Sequence, residues 1–282
     1  MNYSKINNNH CRVIGRKGSG AGQLYHPMGI LMDKDTGNII VTEYGNNRVQ
    51  VMKDDGSHVY FIGNGNGSNP GQLNNPYGLA LSDEGRLIVC DCINNRIQYW
   101  HMKDGRYLGQ FGVESNPQCV AIGPSGDQLF VSLYSNKIGV YGMDGQLIRS
   151  IGSKGSKDGQ LNYPIGLAFN SRGNLLVGER NNKRISVFEG SSGVLKTKLG
   201  EFGGYGVNMA VDSFDRVIVS DNGSHRLEFF DSNFKSIGKF GSNGNGIGQF
   251  NNPNGVWIDE ENDCLIVCDS INNRLQIIKD AY

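Results

Sequence analysis

Hydrophobic and polar positions fall along this chain in short alternating runs, and the runs return in one fixed order. A full unit reads Asn75-Pro76-Tyr77-Gly78-Leu79-Ala80-Leu81, then Asp83-Glu84-Gly85, then Arg86-Leu87-Ile88-Val89-Cys90-Asp91, then Asn94-Asn95-Arg96-Ile97-Gln98-Tyr99-Trp100. Runs such as Ile39 to Thr42, Leu87 to Cys90, Val217 to Ser220 and Leu265 to Cys268 are rich in β-branched and other apolar residues. They are bounded by Gly, Asp and Asn and lack helical periodicity, so each predicts a strand. Aligned on the basic residue after the Asn cluster, the copies fall at Arg48, Arg96, Lys137, Arg184, Arg226 and Arg274, in steps of 48, 41, 47, 42 and 48 residues. A unit of about four strands at this spacing predicts an all-β fold, a six-bladed β-propeller with four antiparallel strands per blade. The blades fall at approximately 27–62, 76–111, 117–151, 164–199, 206–240 and 253–280, within a single domain over 1–282.

The ends of the chain predict how the ring closes. Complete units finish with an outer strand before a glycine, as in Leu147-Ile148-Arg149-Ser150-Ile151-Gly152, but the sixth stops soon after its third strand. A detached version of that outer strand, residues 11–15, opens the chain. It should complete the last blade and cover an exposed edge. The Asn-rich residues 1–10 are expected to be flexible.

The pattern Gly-x-Gly-Gln-Leu/Phe-x-x-Pro-x-Gly-Leu/Val, then Asp or Asn, then Leu-Ile-Val-x-Asp-x-x-Asn-x-Arg-Ile/Leu-Gln resembles the NHL repeat over nearly the whole chain. Blades at Pro27, Pro76, Pro164 and Pro253 match most fully. Blades three and five depart, with Cys119 and Asn208 at the glycine position and no Gly-Gln-Leu stretch. The resemblance, to the NHL domains of TRIM-like proteins, implies a binding platform that presents one loop face to a protein or peptide. It further implies service as the substrate-reading domain of a larger ubiquitin-ligase-like protein. Single-stranded RNA bound on the same face is the alternative.

Within each unit an acid stands five residues before the base: Glu43 with Arg48, Asp91 with Arg96, Glu179 with Arg184, Asp221 with Arg226 and Asp269 with Arg274. Blade three loses both together, carrying Leu133 and Lys137. Joint loss predicts a structural ion pair of the two-pronged kind that Arg suits and Lys does not. In the innermost strands the middle residue is Leu31, Ala80, Ala121, Ala168, Ala210 or Trp257. Leu31 and Trp257 are expected to plug the channel near the closure.

Composition narrows the class. With 38% apolar residues and 41 glycines the chain can build a core punctuated by tight turns. No apolar run reaches the length of a membrane span, and the first residues are unlike a signal. The six cysteines follow no disulfide spacing, which favours a reducing, cytoplasmic home.

Catalysis finds little support. Six-bladed propellers include metal-dependent lactonases and lyases, but His10, His26, His58, His101 and His225 occupy unlike positions and share no metal-ligand spacing. Most acids sit in the framework slot or in hairpin turns such as Asp54-Asp55-Gly56. The sequence thus predicts no enzyme, no cofactor and no metal. What the repeat leaves unexplained is one loop face, formed by the links between blades and by the links between second and third strands. It should carry Tyr25, Tyr44, Tyr77, Tyr134, Tyr163, Phe202 and Tyr205. It should also carry Arg16, Lys17 and His26 before blade one, and Lys154, Lys157, Arg180 and Lys183 around blade four, against Glu114, Asp158 and Glu201. Flat amphipathic rings on rigid loops suit a peptide or a nucleic acid. Equal totals of basic and acidic residues, 27 each, argue against a dedicated phosphate binder. The isolated domain is expected to be monomeric and to have no membrane partner.

Overall fold

The computed structural model describes residues 1, 3, 6, 11–204 and 206–279. Six sheets of four antiparallel strands form the molecule. In blade two the strands Pro76–Leu81, Arg86–Asp91, Arg96–His101 and Arg106–Gly112 each pair with the next in sequence. The same meander starts again at Pro27, Pro117, Pro164 and Val207. The sixth sheet draws Pro253–Asp259, Cys264–Asp269 and Arg274–Lys279 from the end of the chain and Cys11–Ile14 from its beginning. Cys11 lies opposite Ile278 and Ile14 opposite Leu275. Each innermost strand touches the innermost strands of both neighbouring blades, the first touching the sixth, so the ring closes.

Apolar packing divides into six clusters, one for each seam between blades. Strand alternation sets the division. Leu79 and Leu81 join the seam with blade one, whereas Ala80 between them joins the seam with blade three. The rule holds around the ring, and it corrects the expected channel plug. Leu31 belongs to the seam between blades one and two, and Trp257 packs against the clusters on either side of blade one. Neighbouring blades also approach closely on the channel side, where a Cβ on Gly29 would meet the carbonyl oxygen of Tyr77 at 2.4 Å. This contact explains the glycine of the Pro-x-Gly element.

On the face opposite the aromatic loops, polar bridges span the seams. The Tyr60 hydroxyl donates to the Met102 carbonyl, Tyr99 Oη to the Met143 carbonyl (3.0 Å), and Arg149 Nη2 to the Gly190 carbonyl (2.5 Å). Arg12 Nη2 donates to Asp54 Oδ2 at 3.1 Å. Tyr60, Arg149 and Arg12 occupy one repeat position, three residues before the glycine that ends the outer strand. Blade five has Gly238 there, and Tyr3 fills the seam instead. Its ring is 4% exposed and stacks on Phe229 at 5.1 Å, while its hydroxyl donates to Asp212 Oδ2 at 3.0 Å. Met1 and Ile6 pack on the same cluster. Of residues 1–10 the described ones, Met1, Tyr3 and Ile6, therefore dock on this seam, because an aromatic ring finds a vacant apolar slot.

The framework pair is more than an ion pair. Arg96 Nε donates to Asp91 Oδ2 at 2.6 Å, and its terminal nitrogens donate to the carbonyls of Ser68, Asn69 and Gln72. Asp91 also accepts from the Asn74 backbone, Asn94 and Gln98. The arginine thus ties the acid to the loop between blades and does not grip it with both prongs. Glu43–Arg48, Glu179–Arg184 and Asp269–Arg274 repeat the geometry, at 2.6, 2.6 and 2.7 Å. The fifth predicted pair does not form. Arg226 bonds Glu228 at 2.6 Å, and Asp221 accepts from the backbone of Gly203 and Ser224. Glu228 stands where Gln98 and Gln276 stand elsewhere, and the shorter loop offers none of the usual carbonyls, so the nearer acid takes the guanidinium. Four loops between blades share one shape, in which Gln23, Gln72, Gln160 and Gln249 each accept a backbone N–H three residues upstream.

Candidate functional site: an aromatic and basic loop face

The tyrosines of the loop face do not stand as a ring of open platforms. Tyr44 and Tyr77 meet edge to face at 6.4 Å, and Tyr134 and Tyr163 do so at 5.0 Å. Tyr77 lies inward. Its hydroxyl accepts from Asn254 Nδ2 at 2.9 Å, reaching past blade one from blade two to blade six. Asn208 Nδ2 adds a bond to Asn254 Oδ1 at 2.5 Å. Tyr77, Asn208 and Asn254 therefore close part of the channel mouth on this face, the role expected of Leu31 and Trp257. Burial pushes the Tyr77 phenol well above the ordinary tyrosine range. Blade five lacks the bulge found at the start of the other inner strands, which brings Asn208 to the mouth.

The remaining rings are partly covered. Lys17 lies 5.4 Å over Tyr25, whose edge meets His26 at 4.7 Å. Burial, then the Lys17 charge, lower the His26 pKa. Arg180 lies 5.1 Å over Tyr163. Tyr134 is 52% exposed and offers the most open ring among the described tyrosines of this face. Phe202 is not on the surface. It is 3% exposed and packs at 6.1 Å from Phe230. With no Gly-Gln-Leu stretch in this loop, Phe202 fills the apolar position that Leu24, Leu73 and Leu161 fill elsewhere. Tyr205 lies outside the described residues.

The charges sharpen the picture. Arg16, Lys17, Lys154, Lys157 and Lys183 are exposed and form no ion pair among the described residues. Two of the three expected counterweights are engaged: Glu114 with Lys137 at 3.3 Å, and Asp158 with Lys198. Asn182 binds the Gly155 carbonyl and so ties the loop carrying Lys154 and Lys157 to the loop carrying Arg180 and Lys183. The aromatic pair and the basic cluster form one patch over blades three and four. Cys92, Gln118 and Asn254 at the mouth were not legible as site residues, since their repeat columns hold no common residue, reading Tyr44, Cys92, Tyr134, Arg180 and Ser270 in one and Met28, Tyr77, Gln118, Ile165 and Asn254 in the other. Gln118 Nε2 approaches Cys92 Sγ at 3.1 Å, and burial pushes that thiol up to about 11. Among the described residues, no three His, Cys, Asp or Glu side chains converge to hold a metal.

Residues 161–188, the loop before blade four and its first strands, match the family model of the NHL repeat. The chain carries the NHL repeat on a six-bladed propeller. It is 35% identical over 106 residues to peptidyl-glycine alpha-amidating monooxygenase B of Xenopus laevis, covering 35% of this chain and 12% of that protein. Protein brain tumor of Drosophila melanogaster is 29% identical over 134 residues, covering 44% and 12%. NHL repeat-containing protein 3 of Mus musculus is 30% identical over 126 residues, covering 42% and 36%. Each match thus spans a minor part of the relative's length. Streptogramin B lyase superposes with a TM-score of 0.66 at 12% identity over 100% of both chains. A catalytically inactive virginiamycin B lyase from Staphylococcus aureus, with Quinupristin, gives 0.67 at 13% over 96% and 99%. At such identities these likenesses establish the six-bladed fold alone. No helix among the described residues is long and apolar enough to cross a membrane.

Proposed function

We propose that this NHL propeller is a non-catalytic binding platform, and that the patch around Tyr134, Tyr163, Lys154, Lys157 and Lys183 holds an acidic segment of a protein partner. The observation that carries the reading is the union of an open tyrosine with lysines that form no ion pair among the described residues. A peptide gains contact area from such rings and charge complementarity from the lysines. Stacked bases need free ring faces. Tyr25 and Tyr163 carry cations on theirs, and Tyr77 is turned into the channel. In a longer protein the domain would read substrates, as in a ubiquitin ligase. A monomer in the cytoplasm belongs to the same reading, supported by six cysteines that all remain free thiols.

Single-stranded RNA is the second reading, favoured by the same unbalanced lysines. Parallel selections from a random peptide library and a random single-stranded RNA pool, at moderate salt, separate the two. Each is repeated with Lys154, Lys157, Arg180 and Lys183 changed to Glu. The expected outcome is an acidic peptide motif enriched by the parent and lost by the variant, with no RNA motif. An RNA motif enriched by the parent alone, with log affinity falling by about 0.7 per neutralised phosphate against log salt, would replace the peptide reading.

A further inference from the structure

On the face opposite the aromatic patch, a cleft of about 310 Å³ lies between blades six and one. The repeat explains it. Strand register maps the walls of the Tyr3 slot, Asp212, Arg216, Ile218 and Phe229, onto Asp259, Cys264, Ile266 and Ile277 of the next blade. Three of these four, Asp259, Ile266 and Ile277, keep their character as acid and apolar floor. The fourth changes from an arginine to a cysteine, isoleucine replaces phenylalanine, and Arg12 of the closing strand lines the cleft where the first slot has Gly238. In the first slot the carboxylate of Asp212 receives the tyrosine hydroxyl at Oδ2. In the second, Asp259 is 7% exposed, and its Oδ2 accepts from Asn262 Nδ2 at 2.8 Å. The rim differs in charge. Lys53 and Lys279 are exposed and form no ion pair among the described residues, and Arg12 shares only the exposed Asp54.

We propose that this cleft is a docking slot for a tyrosine carried on an acidic segment of a partner protein. The molecule itself shows, one seam away, how such a slot is occupied. The ring lies on the apolar floor of Ile266 and Ile277, and the hydroxyl donates to Asp259. Acidic residues flanking the tyrosine meet Lys53, Lys279 and Arg12. Cys264 contributes a small wall, its buried thiol protonated at neutral pH and donating to Asp259 Oδ2 at 3.7 Å. The cleft's volume falls at the low end of the range typical of ligand sites, enough for one anchoring side chain and its neighbours.

The test is fluorescence anisotropy with a labelled Glu-Asp-Tyr-Glu-Asp peptide, alongside versions carrying Ala or Phe at the centre. The parent binds the tyrosine peptide, the phenylalanine version binds several-fold more weakly, and the alanine version at least about tenfold more weakly. Lys53→Glu with Lys279→Glu weakens binding at least about tenfold without changing the melting temperature, since both side chains are exposed. The variant with Lys154, Lys157, Arg180 and Lys183 changed to Glu retains it, which separates this slot from the aromatic face. Absence of binding at about 1 mM peptide, equal binding of the alanine version, or loss only in the aromatic-face variant overturns the proposal.

Discussion

At the scale of single residues, the framework arginine works through all three of its nitrogens at once. Its Nε holds an acid, and its two terminal nitrogens hold carbonyls of a loop that would otherwise be free to move. A lysine reaches one of these with a point charge. Arg96→Lys should lower unfolding free energy by about 1–3 kcal/mol, read as a shift in denaturant midpoint. Arg226→Lys should cost less than Arg96→Lys, because Arg226 is the more exposed of the two and holds Glu228 alone with no loop carbonyl. Equal losses would refute the loop-tying role. The thiols give a second test at this scale. Burial raises the pKa of all six cysteines, with Cys11, Cys92 and Cys119 each pushed up to about 11. A raised thiol pKa stabilises the fold below the free-thiol value and loses that contribution as pH climbs through the folded value. Stability should therefore decline from about pH 8.5 toward 11. A thiolate-specific reagent at pH 8 should label the native chain about a hundredfold more slowly than the unfolded one. The arginine, its acid and their spacing were legible because they recur in column. The exchange of Asp221 for Glu228 was not, because it depends on which loop carbonyls the fold delivers.

Among the elements, the segment before the first blade makes two separate contacts. Cys11–Ile14 completes the sixth sheet, and Tyr3 fills the seam beside it. Deleting residues 1–15 should bare the strand Arg274–Lys279 and produce aggregation or a lower melting temperature, seen by light scattering and calorimetry. Tyr3→Ala leaves the strand in place and should cost roughly 2–4 kcal/mol through the cavity it opens, without aggregation. If the single substitution were silent, the seam would not depend on its guest. The closing strand could be read from the sequence because its partner blade lacked one. Tyr3 could not, since its slot exists through Gly238, a residue whose small size says nothing of what replaces it. The Phe202 misplacement has the same root, an apolar residue set in a loop whose register the missing Gly-Gln-Leu stretch no longer fixed.

For the molecule as a whole, the ring places the two proposed recognition surfaces back to back. One presents edge-on tyrosines and lysines, the other a cleft walled by two blades, and the formal net charge of +0 conceals both. Tyr77→Phe removes the hydroxyl link between blades two and six and should cost about 1 kcal/mol while leaving the outer patch intact, a difference that melting and peptide binding measured together would show. The closure also sets an order of events during synthesis. Cys11–Ile14 leaves the ribosome well ahead of its partner, which arrives roughly 265 residues later, a wait of about 15–50 s at ordinary elongation rates. Throughout that interval a strand with a bare edge has nothing of its own to pair with, and five finished blades stand as an open arc. A circular permutant that begins at Lys17 and carries residues 11–15 after the last blade would turn this distant pairing into a local one. Such a chain should fold faster than the natural order and need less protection by chaperones.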